Sequence, residues 1–434
     1  MNIISNAFLK SQKLISDRLG LMQNIIKTPR LNNDPLLAAF CMFPCNTTYL
    51  HGEKFEGRSS GCNFDIYNAY MGTIGETVER YCPAFYDTKK MMHAKYNDIS
   101  THVIPPSEYA LFHEKQHAFF KEKNYKMNLF DDDIKLYWDK CIDLTNGKET
   151  YSPAAFIYLP WTIEDKWITV GTSTGLAAHT NYYKAMLTAL YEIIERDSFV
   201  ITWYQQIFSH KIIIDKNIQD YITQRFPAKY EWHFFDITYD IQIPVVFGIC
   251  FGEAEYGKFV AVGTACRGTI SEALRKVILE IGQGVSYFRY LLGEKKDWMP
   301  SDDFNEILNF EDHSVFYIKR PELQNVMDIW RKAEASLQID FFEKDEMNVK
   351  QRIKSVIQLL KNKNYNVLLR DITTPDVNQA GFYCLRMVVP QLLQMGGAYP
   401  FYFLGGKRLY EVPKILGHYS REYDELNKYP HPFP

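Results

Sequence analysis

The chain has almost no net charge: 49 basic residues stand against 52 acidic ones, a formal −3. It therefore lacks the basic surface expected of a nucleic-acid binder. No run of about 18 apolar residues occurs, so no membrane span is expected. The opening stretch, MNIISNAFLKSQKLISDRLG, is mixed and polar, without the apolar centre of a secretory signal. Cysteine is sparse, with eight scattered residues among 434. A chain this long needs no disulfide staples, and the spacing suggests no framework. Cys41 and Cys45 form a lone CxxxC without a second pair, which favours ordinary thiols over zinc. The expected compartment is a reducing cytoplasm. A Walker A loop, a kinase signature set and an HExxH motif are also missing, so nucleotide binding here would not use a P-loop.

What is present is ample apolar content, 46% of the residues, with 15% aromatic. That suffices for a sizeable core. The length suits two or three units, or one large enzyme domain with an extension. An amphipathic segment lies at about 66–82. Residues 83–150 read as polar and irregular, with short helical stretches such as SEYALFHEKQHAFF. AAFIYLP and WITVGTST read as strands from their β-branched and aromatic content. A long helical pattern covers about 181–205, and IPVVFGICFG with KFVAVGTAC reads as a strand pair. SEALRKVILEIGQGVSYFRYLL reads as a helix, and 323–362 as largely helical. NVLLRDIT and FYCLRMVVP close the pattern as strands. Strands and helices mix without strict alternation, so the expected class is α/β or α+β. No solenoid period or low-complexity linker interrupts it.

One short pattern occurs twice, as Glu76-Thr-Val-Glu79-Arg80 and as Glu192-Ile-Ile-Glu195-Arg196. On a helix, positions i, i+3 and i+4 share a face, so each copy presents two carboxylates and a guanidinium together. Met71, Ile74 and Val78 lie opposite in the first copy, and Leu187, Leu190 and Ile194 in the second. A single ExxER is ordinarily a solvated face with a weak ion pair. Two such helices brought together have a definite capacity: carboxylates bind Mg2+ and arginine contacts phosphate. A third pair, Glu280 and Gln283, again at i and i+3, can add a further contact.

Gly171-Thr-Ser173-Thr-Gly175 matches GxSxG, read as following a strand and preceding a helix, the setting of a nucleophile elbow. LAAHTN separates it from the helical periodicity, whereas an elbow's helix starts at once. The better reading is a glycine-rich connection near a ligand. The chain closes with Pro430-His431-Pro432-Phe433-Pro434. Proline fixes φ, so this PxPxP end is extended and stiff. Such a tail can reach into a cleft and hold its terminal carboxylate there as a base.

GTIGETVERYC, GTSTGLAAHTNYYKAMLTALYEIIERDSF, ALRKVILEIGQG, DITTPDVNQAGFYCLRMVVP, GGKRLY and the terminal PHPFP together resemble the YcaO family, in its azoline-forming branch. The resemblance runs in order over about 60–434, leaving 1–59 as an N-terminal extension. It implies a YcaO-type fold with mixed sheets and an ATP site lined by acidic helices. It also implies Mg2+ and ATP held by Glu76, Glu79, Arg80, Glu192, Glu195 and Arg196, with Glu280 and Gln283 in a third segment. The four glutamates of the two ExxER motifs would carry the metal. The implied reaction is ATP-dependent cyclodehydration of Cys, Ser or Thr in a ribosomal precursor peptide, with the Pro434 carboxylate as catalytic base or orienting group.

The resemblance also implies partners: a leader-binding C protein, a flavin-dependent dehydrogenase and, compatibly, a homodimer. Three positions depart from the family pattern. Gly72 stands where relatives usually carry Ser, Ser60 where Lys is common, and Lys184 where Glu is expected. Other readings remain: thioamide or amidine formation by the same amide activation, a non-catalytic YcaO scaffold, and a serine hydrolase built on Ser173.

Overall fold

The computed structural model describes residues 3–45 and 59–433. Strands β1 (Met22–Lys27), β2 (Ala38–Pro44) and β3 (Ser59–Asn63) come first. Helix α1 (Ile66–Tyr81) follows, then β4 (Met92–Lys95), β5 (Lys135–Asp143), β6 (Lys148–Pro153) and β7 (Leu176–His179). Helix α2 (Tyr182–Gln205) leads to β8 (His210–Lys211), β9 (Glu231–Asp236), β10 (Val245–Ala254) and β11 (Gly257–Cys266). Helices α3 (Ile270–Glu294) and α4 (Phe310–Lys319) precede β12 (Leu368–Asp371) and β13 (Tyr383–Val388).

These strands build three sheets: β1-β2-β3; β11-β10-β9-β8; and β4-β5-β12-β13-β7 with β6 added on β5. Every strand pairing among the described residues is antiparallel. The fold is thus mixed α and β, as expected, with its sheets of α+β character. The stretch ahead of residue 60 supplies β1 and β2, and β2 pairs with β3 from Ala38↔Asn63 to Met42↔Ser59.

The central layer shows how sequence becomes packing. β10 and β11, ten residues each, form a hairpin that turns at Ala254↔Gly257, where Gly257 has φ +103°. The even period of a strand sends alternate residues to opposite faces. Phe247, Ile249 and Val262 join the core around Phe199 and Trp203 of α2. Val246, Cys250 and Ala261 join Leu274, Val277 and Ile281 of α3. The hairpin is therefore covered by a helix on each side. Gly248 permits the approach of α3, because a Cβ there would sit 2.4 Å from Val277 Cγ1.

Local signals start each site helix. Asp65 caps α1 by accepting from the Asn68 amide at 2.8 Å. Asn181 caps α2 through the Lys184 amide at 3.1 Å, and α2 stops at Gln206 in the left-handed region, φ 52°. Thr269 caps α3 through the Glu272 amide. Such caps satisfy amides that have no partner inside the helix. A buried ion network then holds α2 to the C-terminal part of the chain. Arg408 Nη2 meets Asp197 Oδ2 at 2.7 Å and Asp240 Oδ1 at 2.8 Å, and Asp197 also accepts from the Leu393 amide.

Several expectations are corrected. AAFIYLP is not a strand: Ala154–Phe156 form a short 3-10 turn in the core. WITVGTST is largely irregular, with one isolated bridge from Trp167 to Met127. The region 83–150 is less irregular than expected, since it holds β4, β5 and β6. Within 323–362 the only long helix is Val349–Asn362, and much of 332–348 is irregular.

Candidate functional site

Helices α1 and α2 bring the two ExxER motifs together, and each motif faces as its apolar positions require. Ile74 and Val78 are fully buried on α1, as are Leu190 and Ile194 on α2, while Met71 and Leu187 are half-buried. Glu76 and Glu192 keep about a third and a fifth of their side-chain surface open, 34% and 22%. They line an opening instead of lying in the core.

Backbone amides hold three of the four carboxylates. Ser60 N donates to Glu76 Oε2 at 3.3 Å, and Gly175 N donates to Glu192 Oε2 at 3.1 Å. Glu195 accepts from Thr264 Oγ1 at 2.9 Å and from Cys266 N at 3.2 Å, both on β11. Gly175 must be glycine here: its φ is +87°, and a Cβ would lie 2.3 Å from Met387 O. Glu79 makes no hydrogen bond among the described residues. It sits between Arg80, Arg386, Glu192 and Glu76, whose charges all act on it.

Guanidiniums interleave with these acids. Arg80 Nη2 lies 3.9 Å from Glu76 Oε1, and Arg196 Nη2 lies 3.7 Å from Glu192 Oε1. Arg386 of β13 was not singled out from the sequence. It is 3% exposed, donates through Nε to Phe156 O at 2.7 Å, and leaves Nη1 buried without a partner. A lone arginine in the apolar run FYCLRMVVP was the available signal, because a buried cation needs a partner. Arg196 Nε is likewise buried without a partner.

Burial and like charge shape the titration of the group. Burial pushes Glu79 up to about 8; Arg80 opposes this, while Glu192 and Glu76 add to it. Burial pushes Glu195 up to about 7, helped by Glu280. Glu76 and Glu192 are raised by the same cause. Burial lowers Arg386 to about 10, against the pull of Glu192 and Glu79. Carboxylates this crowded favour an added cation, and guanidinium donors left without partners suit phosphate oxygens. Among the described residues, no three His, Cys, Asp or Glu side chains form a ready-made metal cage. Mg2+ ordinarily takes one or two carboxylates and completes its shell with phosphate and water, and Glu79 and Glu192 can supply the carboxylates.

The remaining expected residues divide. Glu280 on α3 joins the group through its charge on Glu195 and pairs with Lys276 at 3.0 Å. Gln283 is half-buried on α3, with no hydrogen bond to the acids among the described residues. Pro434 lies outside the described residues, but its neighbour is well placed: the Phe433 ring is 4.3 Å from the Arg196 guanidinium carbon.

Ser173 precedes β7 instead of following a strand, and six residues separate Gly175 from the start of α2 at Tyr182. No His or Asp hydrogen-bonds its hydroxyl among the described residues, so the elbow geometry is absent. Lys184 is exposed at the start of α2, where its charge acts on His179. At Gly72 a Cβ would meet only Gly61 Cα, at 3.9 Å, so a serine fits there. Ser60 contributes its backbone amide to Glu76. No helix among the described residues is long and apolar enough to cross a membrane.

A family model described as YcaO cyclodehydratase, ATP- and Mg2+-binding, matches residues 60–393. A search of curated proteins gave no match. Among solved structures, a heterocyclase in complex with substrate and cofactor aligns with a TM-score of 0.78 at 18% identity. That alignment covers all of this chain and 57% of the heterocyclase, so the chain spans little more than half its length. The Methanopyrus kandleri YcaO bound with AMPPCP and Mg2+ aligns with a TM-score of 0.62 at 14% identity, covering 90% of this chain and 89% of that one. A chain of the E. coli microcin synthetase McbBCD complex aligns with a TM-score of 0.60 at 17% identity, covering 88% and 92%. At these identities the structures establish the fold, and the family model, which spans most of the chain, makes this protein a member of the YcaO cyclodehydratase family with ATP and Mg2+ as its cofactors.

Proposed function

We propose that the chain is an ATP-dependent azoline-forming cyclodehydratase acting on Cys, Ser or Thr of a precursor peptide. Residues 60–434 form its catalytic unit, with 1–59 as an extension that contributes strands to it. The observation that carries the reading is the meeting of Glu79 and Glu192 from two helices, ringed by Arg80, Arg196 and Arg386. Each is a group that Mg2+ or a phosphate chain needs.

Bound ATP supplies the phosphoryl group that turns the peptide amide oxygen into a leaving group, with Mg2+ offsetting the phosphate charge. The chain's own residues position and neutralise. Glu79 and Glu192 provide carboxylate oxygens for the cation, while Glu76 and Glu195 are steadied by Ser60, Thr264 and Cys266. Arg80 and Arg196 would contact phosphate oxygens, and Arg386 would offer them its free Nη1. The substrate's side-chain thiol or hydroxyl attacks the carbonyl carbon of the preceding residue. The Pro434 carboxylate takes the proton released in that step, and departure of phosphate with loss of the amide N–H proton then forms the C=N bond of the ring.

A leader-binding partner presents the peptide, and a flavin-dependent dehydrogenase can then oxidise the ring. The likeness to the E. coli microcin synthetase McbBCD complex supports this kind of assembly.

The test is a coupled one. With partner and a Cys- or Ser-rich peptide, phosphate release should accompany the loss of one water per ring by mass spectrometry. Deleting Pro434 alone should abolish ring formation while the protein stays folded, because the buried His431 and Phe433 are kept. A sulfur-for-oxygen mass gain would replace this reading with thioamide formation, and full activity of the truncated chain would remove the tail's catalytic role.

A further inference from the structure

The tail's last turn of chain is held by an unusual set of donors. Three consecutive backbone carbonyls each receive one side-chain hydrogen bond. Trp203 Nε1 donates to Tyr429 O at 2.9 Å, Tyr317 Oη to Pro430 O at 2.7 Å, and the His313 Nδ1 to His431 O at 2.8 Å. Prolines at 430 and 432 have no N–H, so carbonyls are the main backbone groups the protein can grip. In an extended proline-rich chain, successive carbonyls point about 120° apart, since about three residues make a turn. Three in a row therefore need donors from different sides. Trp203 comes from α2, while His313 and Tyr317 lie one turn apart on α4 and share a face.

Further contacts fix the same segment. The His431 ring stacks on His313 with centroids 4.0 Å apart and 12° between planes, and its Nε2 donates to Gly396 O at 3.1 Å. Phe433 packs on Phe199, at 5.4 Å, and covers the Arg196 guanidinium. A slip of one residue would carry the Phe433 ring about 3.1 Å along the tail and off Arg196.

We infer that Trp203, Tyr317 and His313 are positioning residues that read the carbonyls of the tail and so set its register against Arg196. This rests on the cyclodehydratase reading for its catalytic consequence, but not for its structural one. They act through the tail, holding the Phe433 ring over the Arg196 guanidinium.

The experiment uses the full chain with its peptide and partner, and the double variant His313→Phe/Tyr317→Phe. Both changes keep an aromatic ring and remove the donor. Amide exchange by mass spectrometry should quicken about tenfold in the C-terminal peptide and stay unchanged in α2 and β10. kcat for ring formation should fall about tenfold with KM for ATP unchanged. His313→Asn, which keeps an amide donor near the place of Nδ1, should recover most of both effects when paired with native Tyr317. A C-terminal peptide as protected as in the native chain overturns the inference, whatever the activity. A loosened tail with an unchanged kcat overturns the positioning role. A native chain that forms no rings, while its tail still loosens on substitution, breaks the cyclodehydratase reading and leaves the tail anchor standing.

Discussion

In α1 the second carboxylate, Glu79, feels the charges of Glu192, Arg80 and Arg386, whereas in α2 the second carboxylate, Glu195, is tied back to β11 by Thr264 and Cys266. The acid that meets Glu79 from α2 is instead Glu192, the first of its motif. The same five-residue pattern therefore divides its duties differently in the two helices. Burial is the reason. α1 rests one face on the core and leaves Arg80 and Glu76 about a third exposed, 33% and 34%. α2 runs through the centre of the molecule, where Glu195 is 8% exposed. A carboxyl that deep must be hydrogen-bonded to protein, so β11 claims it, and a ligand is left with the acid one turn nearer the opening.

The largest effect should follow from removing the acids that face each other. Glu79→Ala and Glu192→Ala should each lower kcat for ring formation by about 10²–10³, the scale of losing a group that stabilises transition-state charge. Glu79→Ala should leave the melting temperature near the native value, whereas Glu192→Ala should lower it, because the Gly175 amide loses its acceptor. Glu76→Ala should cost about tenfold at most. Equal losses at Glu76 and Glu79, in steady-state kinetics with saturating peptide, would erase the proposed division within α1.

Glu195 should behave as the opposite kind of residue. Glu195→Ala leaves Thr264 Oγ1 and the Cys266 amide buried without an acceptor, which costs about 1–3 kcal/mol of stability. Thermal unfolding of the nucleotide-free protein measures it directly. Glu195→Gln retains an acceptor and should recover much of the loss. If Glu195→Ala instead left stability unchanged and abolished Mg-ATP binding, Glu195 would be a metal ligand on a par with Glu192.

The pH dependence tests the comparison from another side. With Glu79 raised to about 8 and Glu195 to about 7, the folded protein keeps protons that the unfolded chain gives up near the usual glutamate range. Stability of the nucleotide-free protein should therefore be greatest near the lower end of that range and fall as pH rises towards 8. A cation on Glu79 requires the carboxylate, so Mg-ATP binding at neutral pH should release protons and flatten the fall. Calorimetry in two buffers of different ionisation heat reads the release. Glu79→Gln should remove most of it, and Glu195→Gln much less.

The parts of this arrangement that the sequence showed are those with a period. Helices α1, α2 and α3 and the β10–β11 hairpin follow from apolar residues at helical or alternating spacing. AAFIYLP misleads because apolar content reports burial, not strand pairing: Ala154–Tyr158 are buried, yet Ala154–Phe156 form a 3-10 turn and no strand of their own. β5 was legible in principle, since KLYWDKCID buries Leu136, Trp138 and Cys141 between exposed Lys135, Lys140 and Ile142. Its charged residues made it look like a loop. In the site, both ExxER motifs were visible, but their unequal roles were not, because Thr264, Cys266 and Gly175 lie far from them in the chain. The donors to the tail are likewise long-range partners that no local spacing announces, whereas Arg386 is marked only by standing alone in an apolar run.

The smallest expected effect belongs to Lys184, the residue that most departs from the family pattern. It stands two turns before Glu192 on the same helix, exposed, and its charge falls on His179. Burial lowers His179 to about 4, with Lys184 and then Lys10 adding to the shift. Lys184→Ala should raise the His179 pKa modestly, as followed by NMR of its ring protons. It should change stability by less than about 0.5 kcal/mol, as surface substitutions usually do. Mg-ATP affinity should stay within about twofold, because an exposed charge roughly 12 Å along the helix from Glu192 is well screened. A tenfold weakening of Mg-ATP would instead place Lys184 among the phosphate contacts, and α2 would then offer the nucleotide a cation on the N-terminal as well as the C-terminal side of Glu192.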